Sequence, residues 1–500
     1  MGHPRALIAA LVALLAALPL RDAIVSGSIP GAGPDVVSTV WGMWWFGQSW
    51  LNEAWGGWSP LANAPNGVFG TVLSPTSAVL WNLFRGLGPG PATWISGWLT
   101  LVSLCGACAL LARRAGARTW MAAALVPLVG RHLLFSLGEG SVVAIAFLPL
   151  PLGLAALLGR RPRDAVAFGL CMVWMALENP YLAPVLPACS LLLMRHRWRT
   201  HGPALVLGSL GVLATAALFS GSAAPDYPRE VAGTTLLGLA VVDMPWAGVM
   251  PWEWVWPELQ WTLDADTARA ATGGGYLGVT ALALALYSRR WAWLALAAVG
   301  AWLAIGSSGL AFLALNTVMD AVARPLTQPA RFLALTVVGL SVAAAFAVDR
   351  HPRLWILLAV EAVVVGGGSL KLPTTTVPSG DCAALAGFEG GVLAWPTDAR
   401  QGEPGQAQLL QMVHGLPSPH RGIASWRLHD GPVTEDLRFH GFAWPPTGAP
   451  RVRHLRESGY RTIIAEAAEA GWAEEHLGAP FLDCGELKVF VLPESRRPGN

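Results

Sequence analysis

Runs of apolar residues, each roughly 15–25 long, recur along the first 370 residues and are separated by short polar stretches. A helix needs about 20 apolar residues to cross a hydrocarbon core of about 30 Å. The pattern therefore predicts eleven transmembrane helices. They cover 6–25, 91–112, 119–136, 142–158, 165–178, 181–194, 203–220, 274–288, 291–306, 331–348 and 354–368.

Two parts of this pattern are ambiguous. Residues 165–194 form one apolar stretch, but Glu178-Asn179-Pro180-Tyr181 interrupts it, and proline disfavours helix in the residue before it. We therefore expect two short spans that meet at Pro180. Residues 309–323 are interpreted as a short outer or re-entrant helix. Residues 6–20 could also be a signal peptide, although the apolar stretch continues through Ile24 and Val25, which favours a retained span.

Arginines mark every second connection between the predicted spans. The groups are Arg113, Arg114 and Arg118; Arg160, Arg161 and Arg163; Arg195, Arg197 and Arg199; Arg289 and Arg290; and Arg350 and Arg353. Basic loops of membrane proteins stay in the cytoplasm. This places the N-terminus inside and the loops 26–90 and 221–273 outside. We predict a multi-pass protein of the cytoplasmic (inner) membrane, with its C-terminal region periplasmic or extracellular.

The chain changes character at about Leu370, where charge rises and apolar runs shorten. Gly391–Trp395, Tyr460–Ala465 and Lys488–Leu492 have the length and β-branched content of strands, whereas 406–414 and 452–458 have a helical pattern. The predicted fold is thus an all-α polytopic membrane domain, 1–369, followed by a small α/β extracytoplasmic domain, 370–500.

Composition agrees with a membrane protein and excludes nucleic acid as a partner. Hydrophobic residues make up 54% of the 500 residues, charged residues 13%, and the mean hydropathy is +0.48. A soluble chain carries about 25% charged residues. The net charge is +2 and no basic face is present, so we expect the lipid bilayer, and no nucleic acid, as a partner.

Only two of the six cysteines, Cys382 and Cys484, lie in the tail. An extracytoplasmic compartment permits disulfides. The two cysteines lie near the start and end of the tail domain, where a bridge would tie its termini together. The alternative is a pair of unpaired, buried thiols.

Ionisable residues near predicted span ends are the first candidates for chemistry, because charge at membrane depth is costly. On the predicted outer side these are Asp35, Arg131, His132, Glu139, Glu178 and Arg331. Two carboxylates could bind a divalent cation such as Mg or Mn, and one could act as a general base. Arginine suits a phosphate group. The alternative for each residue taken alone is a structural or interfacial role.

Tryptophans crowd the first outer loop, where Trp44 and Trp45 follow Trp41 closely. Tryptophan is enriched at membrane interfaces, so an aromatic belt is one interpretation. The other is a stacking surface for sugars or a rim that binds lipid. The residues themselves leave both interpretations open.

Four short motifs resemble the GT-C glycosyltransferase superfamily, including relatives of the YfhO type. They are Asp35 soon after the first span, the Pro65-Asn66-Gly67 turn, the segment Arg324–Phe332 and the tail segment Gln411–Pro417. Relatives often have Gly-His where this chain has Gly138-Glu139, and this turn contains no Asp-x-Asp pair. The resemblance covers most of the chain, although each motif is short.

This resemblance implies transfer of a sugar from a polyprenyl-phosphate-linked donor to a glycan, lipid or protein acceptor at the outer membrane face. It implies that Asp35 is the general base and Glu139 an auxiliary carboxylate, with a divalent cation between them in some relatives. Arg331 becomes a candidate for the donor phosphate. The other candidates for substrate or donor binding are Glu178, His132, Arg131, Trp44 and Trp45.

Two other functions remain open from the sequence. A transporter or flippase of lipid-linked glycans favours inverted repeats and spans broken at mid-membrane, and no repeat is evident in the sequence. A non-catalytic cell-envelope assembly protein would instead use its tail to bind a partner.

Overall fold

A computed structural model gives the backbone of most of the helical region and parts of the tail. It describes residues 3–31, 34–51, 58–59, 68–70, 75–130, 147–178, 182–193, 198–220, 277–304, 317, 329–366, 372, 374–376, 391–395, 412, 425–427, 460–466, 470–484 and 487–492. The chain forms two compact units. The first comprises 1–30, 74–77 and 93–374, and the second comprises 31–73, 78–92 and 375–500. The limits predicted from the sequence, 1–369 and 370–500, remain a prediction.

Helices account for most of the described residues. They are α1 (His3–Ala17), α2 (Arg21–Ser26), α3 (Pro34–Leu51), α4 (Pro75–Phe84), α5 (Pro89–Ala115), α6 (Val126–Val129), α7 (Pro149–Leu158), α8 (Pro162–Glu178), α9 (Val185–Leu193), α10 (Trp198–Ser220), α11 (Val279–Ser288), α12 (Trp291–Ala304), α13 (Leu333–Arg350), α14 (Trp355–Val364) and α15 (Gly471–Leu477). Short 3-10 helices cover Leu18–Leu20, Arg85–Leu87, Trp120–Leu125, Pro329–Phe332 and Pro352–Leu354. Two of the short strands are β1 (Ile29–Pro30) and β4 (Thr374–Thr375).

Within the described residues, three helical segments are long and apolar enough to cross a membrane: Ala6–Ser26, Pro89–Ala115 and Leu333–Arg350. Shorter apolar helices are Trp120–Val129, Pro149–Leu158, Val279–Ser288 and Trp291–Ala304. The mostly helical, membrane-embedded character expected from the sequence is therefore confirmed, whereas the number of eleven spans remains a prediction.

Helical structure is interrupted between Glu178 and Val185, whereas two short spans that meet at Pro180 remain a prediction, since 179–181 lie outside the described residues. Helix α8 ends at Glu178 and α9 begins at Val185, after a turn at 182–184. One long helix does not cross this region. The proposed re-entrant helix at 309–323 lies outside the described residues, apart from residue 317.

Helix α13 lies at the centre of the first unit, where almost all of its side chains are buried. It packs against α11, α12 and the 3-10 helix Trp120–Leu125. The contact with α12 is close because Gly300 and Gly339 lack side chains. A Cβ atom at Gly339 would lie 2.6 Å from the carbonyl oxygen of Trp293, closer than such atoms can approach. Small residues at such contacts let the backbones of membrane helices approach closely.

The loops that carry the arginines are joined by polar contacts at one end of this unit. Arg114 pairs with the carboxylate of Asp164 at 3.3 Å. The carboxylate of Asp349 accepts hydrogen bonds from the backbone and hydroxyl of Thr119. The Arg350 guanidinium donates to the last carbonyl groups of α11, at 3.0 and 3.1 Å. Four basic loops predicted to share a side of the membrane thus lie together, although the side itself remains a prediction.

The second unit contains the small sheet expected in the tail. Strands β5 (Gly391–Trp395), β7 (Tyr460–Glu466), β8 (Leu482–Asp483) and β9 (Leu487–Val491) pair in the order β5-β7-β9-β8. The pair β5–β7 is parallel and the other pairs are antiparallel. Ile463 and Ile464 of β7 are almost fully buried, as expected for a central strand. The three predicted tail strands are confirmed, whereas the predicted tail helices lie outside the described residues except for Met412.

The first outer loop and the tail form one sheet within this unit. Strand β2 (Trp58–Ser59) pairs with β3 (Val68–Gly70), and β3 pairs with β6 (Ser425–Arg427), both antiparallel. Met412 also packs against the tryptophans of α3. Two segments more than 300 residues apart in sequence are therefore built into one body.

Candidate active site

Asp35 is the second residue of α3, and Pro34 precedes it at the first helical position. Proline is favoured there because its fixed φ suits a helix start and the missing N–H has no intrahelical partner to lose. An acidic residue in a first helical turn also interacts favourably with the positive end of the helix dipole. The sequence order proline-aspartate thus explains why the helix begins here. The side chain of Asp35 lies outside what the structure describes.

Three tryptophans of α3 form an aromatic cluster, which comprises Trp41, Trp44 and Trp45. The Trp41 and Trp45 rings stack with 6.3 Å between centroids and 10° between planes, because residues four apart in a helix lie on one face. Trp44 lies 6.4 Å from each of them in tilted geometry. Met412 packs against this cluster. Trp45 is 6% exposed, and its indole nitrogen has no hydrogen-bond partner among the residues that the structure describes.

Glu178 is a buried carboxylate at the C-terminal end of α8, with 4% of its surface exposed. Its Oε1 accepts a hydrogen bond from the backbone N–H of Thr76 at 2.8 Å and another from the Trp174 indole at 3.2 Å. The Trp174 indole also lies 2.9 Å from the Thr76 hydroxyl. Glu178 therefore fixes the start of α4, which is a structural role, whereas its part in substrate or donor binding remains a prediction.

Glu178 and the joined basic loops lie at opposite ends of α8. Asp164, which pairs with Arg114, is in the first turn of this 17-residue helix, and Glu178 is its last residue. At a rise of about 1.5 Å per residue the two carboxyl-bearing residues are about 20 Å apart along the helix axis. This separation fits the prediction that Glu178 is on the outer side.

Arg331 lies in the 3-10 helix Pro329–Phe332, directly before α13. It is half-buried, whereas its neighbour Phe332 is completely buried. The buried Phe332 therefore holds this turn in place, while part of the Arg331 side chain stays exposed. Whether its guanidinium binds a phosphate group remains a prediction.

The remaining predicted site residues lie outside the described residues. Arg131, His132 and Glu139 fall in 131–146, and the Pro65-Asn66-Gly67 turn falls in 60–67. The distance between Asp35 and Glu139, on which a paired-carboxylate site depends, is thus untested. Among the described residues, no group of three or more His, Cys, Asp or Glu side chains could hold a metal ion. The Mg or Mn site at Asp35 and Glu139 remains a prediction.

The structure describes one of the two cysteines of the predicted disulfide. Cys484 is buried and is disulfide-bonded, whereas Cys382 lies outside the described residues. Cys105, Cys108, Cys171 and Cys189 carry free thiols. The pairing of Cys382 with Cys484 remains a prediction.

Two charged residues inside predicted spans escaped the sequence analysis. The carboxylate of Glu361 in α14 accepts hydrogen bonds from the backbone N–H groups of Val279 and Thr280, at 2.8 and 3.1 Å. Arg21 donates to the carbonyl oxygen of Gly366 at 3.0 Å, just beyond the end of α14. Both satisfy helix-end groups that lack intrahelical partners. A single charge within an apolar run was the signal that could have identified them.

Comparison with solved structures identifies the fold. The arabinofuranosyltransferase AftD from Mycobacteria, determined by cryo-electron microscopy, matches with a TM-score of 0.54 and 17% identity, over 93% of this chain and 37% of AftD. This chain has the fold of AftD. It spans little more than a third of that protein, so the likeness concerns one part of AftD.

Two further matches are to ArnT from Cupriavidus metallidurans. The crystal structure of ArnT bound to undecaprenyl phosphate matches with a TM-score of 0.46 and 14% identity, over 98% of each chain. The apo structure of ArnT matches with a TM-score of 0.44 and 13% identity, over 96% of this chain and 97% of ArnT. No protein-family model and no curated protein sequence matches the chain.

Proposed function

We propose that the chain is a membrane glycosyltransferase that takes its sugar from a polyprenyl-phosphate-linked donor at the outer face of the membrane. The fold shared with the arabinofuranosyltransferase AftD over 93% of the chain is the observation that carries this proposal. The short motifs around Asp35, Arg324–Phe332 and Gln411–Pro417 support it independently, because they are read from the sequence alone. The acceptor is a glycan, a lipid or a protein.

In this proposal Asp35 is the general base. Its carboxylate takes a proton from the acceptor hydroxyl while that oxygen attacks the anomeric carbon of the donor sugar, and the polyprenyl phosphate leaves. Arg331 binds the phosphate of the donor, because its planar guanidinium can donate two parallel hydrogen bonds. Glu139 is an auxiliary carboxylate, and Asp35 and Glu139 are the residues that would hold a divalent cation, which would supply Lewis-acid stabilisation of negative charge.

Sugar transfer by the purified, full-length protein tests the proposal. The protein in lipid nanodiscs is given undecaprenyl-phosphate-linked radiolabelled sugars and extracted membrane glycans as acceptors. We expect transfer by the unaltered protein and a loss of about 100-fold or more in Asp35→Asn, the size of effect typical of a lost general base. Asp22→Asn is the matched control, because Asp22 is an exposed acid of the neighbouring helix α2.

Two results would contradict the proposal. Unchanged transfer in Asp35→Asn would exclude Asp35 as the base. Absence of transfer with every donor and acceptor would favour the transporter or the assembly protein. Movement of labelled lipid-linked glycan across proteoliposomes separates those two functions.

A further inference from the structure

The turn that follows α11 and the turn that follows α13 are held together by hydrogen bonds. The Arg350 guanidinium donates to the carbonyl oxygens of Tyr287 and Ser288, at 3.0 and 3.1 Å. The hydroxyl of Tyr287 lies 2.8 Å from Nε2 of His351, within hydrogen-bond distance. The two turns therefore form one surface of the first unit, although Tyr287 and Arg350 are 63 residues apart in sequence.

Four exposed arginines lie on this surface and are called the arginine patch: Arg289, Arg290, Arg350 and Arg353. The guanidinium carbon of Arg290 lies 4.0 Å from the centroid of the Phe346 ring, so α13 holds this side chain beside the others. Among the described residues, no carboxylate forms an ion pair with any of the four arginines. The arginine patch is therefore a local excess of positive charge.

The acidic residues of the surrounding helices are bonded elsewhere. Helices α11 to α14 and the two turns contain only two of them, Asp349 and Glu361. Asp349 accepts hydrogen bonds from the backbone N–H and hydroxyl of Thr119 and from the backbone N–H of Arg118. Glu361 bonds the start of α11, whereas the arginine patch lies at the end of that helix. An anion from outside the protein could therefore bind the patch without competition from these carboxylates.

Arg289 has a backbone conformation that favours glycine. Its φ is +54°, in the left-handed region, directly after the last residue of α11. Residues with a Cβ atom adopt this region at a cost, and glycine is the usual residue at such a helix end. Strained residues of this kind cluster at functional sites. The turn thus loses some stability by having an arginine at this position, which indicates a use for the side chain.

Exposed apolar side chains flank the arginine patch. Leu286 in the last turn of α11 is 55% exposed, and Trp291 at the start of α12 is 71% exposed. Ile356 and Leu357 at the start of α14 are also exposed. Tryptophan is enriched where the headgroups of a membrane meet its hydrocarbon core. The arginine patch therefore lies at a boundary between charged and apolar surface, as a lipid-binding site requires.

The arginine patch is separate from the candidate for the donor phosphate. Arg331 lies directly before α13, whereas Arg350 is the last residue of that helix. At about 1.5 Å per residue, the 18 residues of α13 extend over about 27 Å, close to the 30 Å of a hydrocarbon core. As a membrane-spanning helix, α13 thus places Arg331 and the arginine patch near opposite surfaces of the membrane.

We propose that the arginine patch binds the phosphate headgroup of an anionic phospholipid, whose acyl chains lie along the exposed apolar faces of α11 and α14. The guanidinium groups donate charge-assisted hydrogen bonds to the phosphodiester. Leu286 and Ile356 contact the hydrocarbon. Basic surfaces beside membrane helices are typical sites for anionic headgroups. A soluble anion would contact the arginines alone and would leave the apolar side chains exposed. The lipid site does not depend on the proposed function.

Lipid titration of the purified, full-length protein tests this site. The delipidated protein in detergent is titrated with dioleoylphosphatidylglycerol or with dioleoylphosphatidylcholine, and native mass spectrometry gives the Kd of the first bound lipid. We expect phosphatidylglycerol to bind at least about 25-fold more tightly than phosphatidylcholine. Arg289→Gly should weaken phosphatidylglycerol binding about 5-fold and Arg289→Gly/Arg353→Gln about 25-fold, because each arginine near an anionic surface contributes about a factor of five.

A matched control and a measurement of stability separate lipid binding from other effects. Arg160→Gln/Arg163→Gln removes two exposed arginines from another basic loop predicted on the same side, and should bind phosphatidylglycerol as the unaltered protein does. Glycine adopts the left-handed conformation without a Cβ penalty. The Tm of Arg289→Gly in detergent should therefore be no lower than that of the unaltered protein.

Three results would overturn the lipid site. Equal affinity of the unaltered protein for the two lipids would show that the headgroup charge is not recognised. An equal loss in Arg160→Gln/Arg163→Gln and in the patch variants would reduce the effect to general surface charge. Displacement of bound phosphatidylglycerol by an equal concentration of glycerol 3-phosphate would show that the arginine patch binds soluble phosphate anions and not a lipid.

Discussion

At the scale of single residues, three charged residues of the predicted spans form hydrogen bonds with backbone groups at the ends of helices. Glu178 fixes the start of α4, Glu361 the start of α11, and Arg21 the end of α14. Glu178 and Glu361 are buried, and the cost of burying their carboxylates is offset by hydrogen bonds from backbone N–H groups. A structural role of this kind does not exclude a part in catalysis. It does mean that loss of activity in a variant of such a residue needs a stability control.

Replacement of Glu178 by alanine tests its structural role. The change removes the carboxylate that accepts hydrogen bonds from the backbone N–H of Thr76 and from the Trp174 indole. We therefore expect a loss of about 1–3 kcal/mol in the free energy of unfolding. Thermal unfolding in detergent measures it. Glu475→Ala is the control, since Glu475 is exposed on α15. Equal Tm values for the two variants would show that Glu178 does not hold α4.

At the scale of elements, two kinds of contact join the helices. Carboxylates near helix starts form hydrogen bonds and ion pairs, and glycines allow two helix backbones to approach closely. Asp164 is in the first turn of α8, and its carboxylate accepts the N–H of Arg161 at 2.9 Å. This is the arrangement of a capping box, in which an acid reaches back to the residue before the helix. It also brings Arg114 of α5 to the start of α8.

The stability that Asp164 provides should depend on pH. The hydrogen bond from Arg161, with a further contribution from the charge of Arg114, lowers the pKa of this carboxyl, which precedes the predicted span 165–178. Its contribution is thus complete above the unfolded pKa of about 3.9 and is lost as the pH falls through the folded pKa. We expect Asp164→Asn to be less stable by about 1 kcal/mol at pH 7. The Tm difference from the unaltered protein should shrink below about pH 4, and a difference independent of pH would contradict this origin.

The glycine contact between α12 and α13 gives a second prediction. A methyl group at Gly339 would meet the backbone of Trp293 and Ala297, at 2.6 and 2.8 Å, so the helices must separate. We expect Gly339→Ala to lose about 1–3 kcal/mol, as overpacked sites do. Gly106→Ala should be neutral or stabilising, because that position is open. Chemical or thermal unfolding of both variants compares them directly, and equal stability would show that the contact can relax.

At the scale of the whole molecule, the first outer loop and the tail are one body. Strand β3 of this loop pairs with β6 of the tail, and helix α3 from the same loop packs against Met412. The proposed base is therefore carried by a unit that includes the C-terminal region. Removal of the tail should affect sugar transfer as well as stability, because β3 and the aromatic cluster lose their partners.

The membrane orientation can be tested on the intact protein. Glu475→Cys on the tail should react with a membrane-impermeant maleimide in intact cells. Thr200→Cys, which is exposed beside the basic loop 195–199, should react only after the membrane is permeabilised. The reverse result would invert the topology and place Asp35 in the cytoplasm, where the proposed reaction could not use an outer-face donor.

The sequence by itself determined the membrane class, the helical break after Glu178, the strands of the tail and the candidate status of Asp35. Each depends on local pattern: apolar run length, proline, β-branched content or a charge beside a span. The tertiary structure decided what Gly47 and Gly339 do, which groups Glu178 and Glu361 bind, and that loop and tail share a sheet. These depend on contacts between residues far apart in sequence, which no local pattern records. Asp35 was found by pattern, whereas the hydrogen bond between Glu178 and the backbone of Thr76, 102 residues away, appeared only in three dimensions.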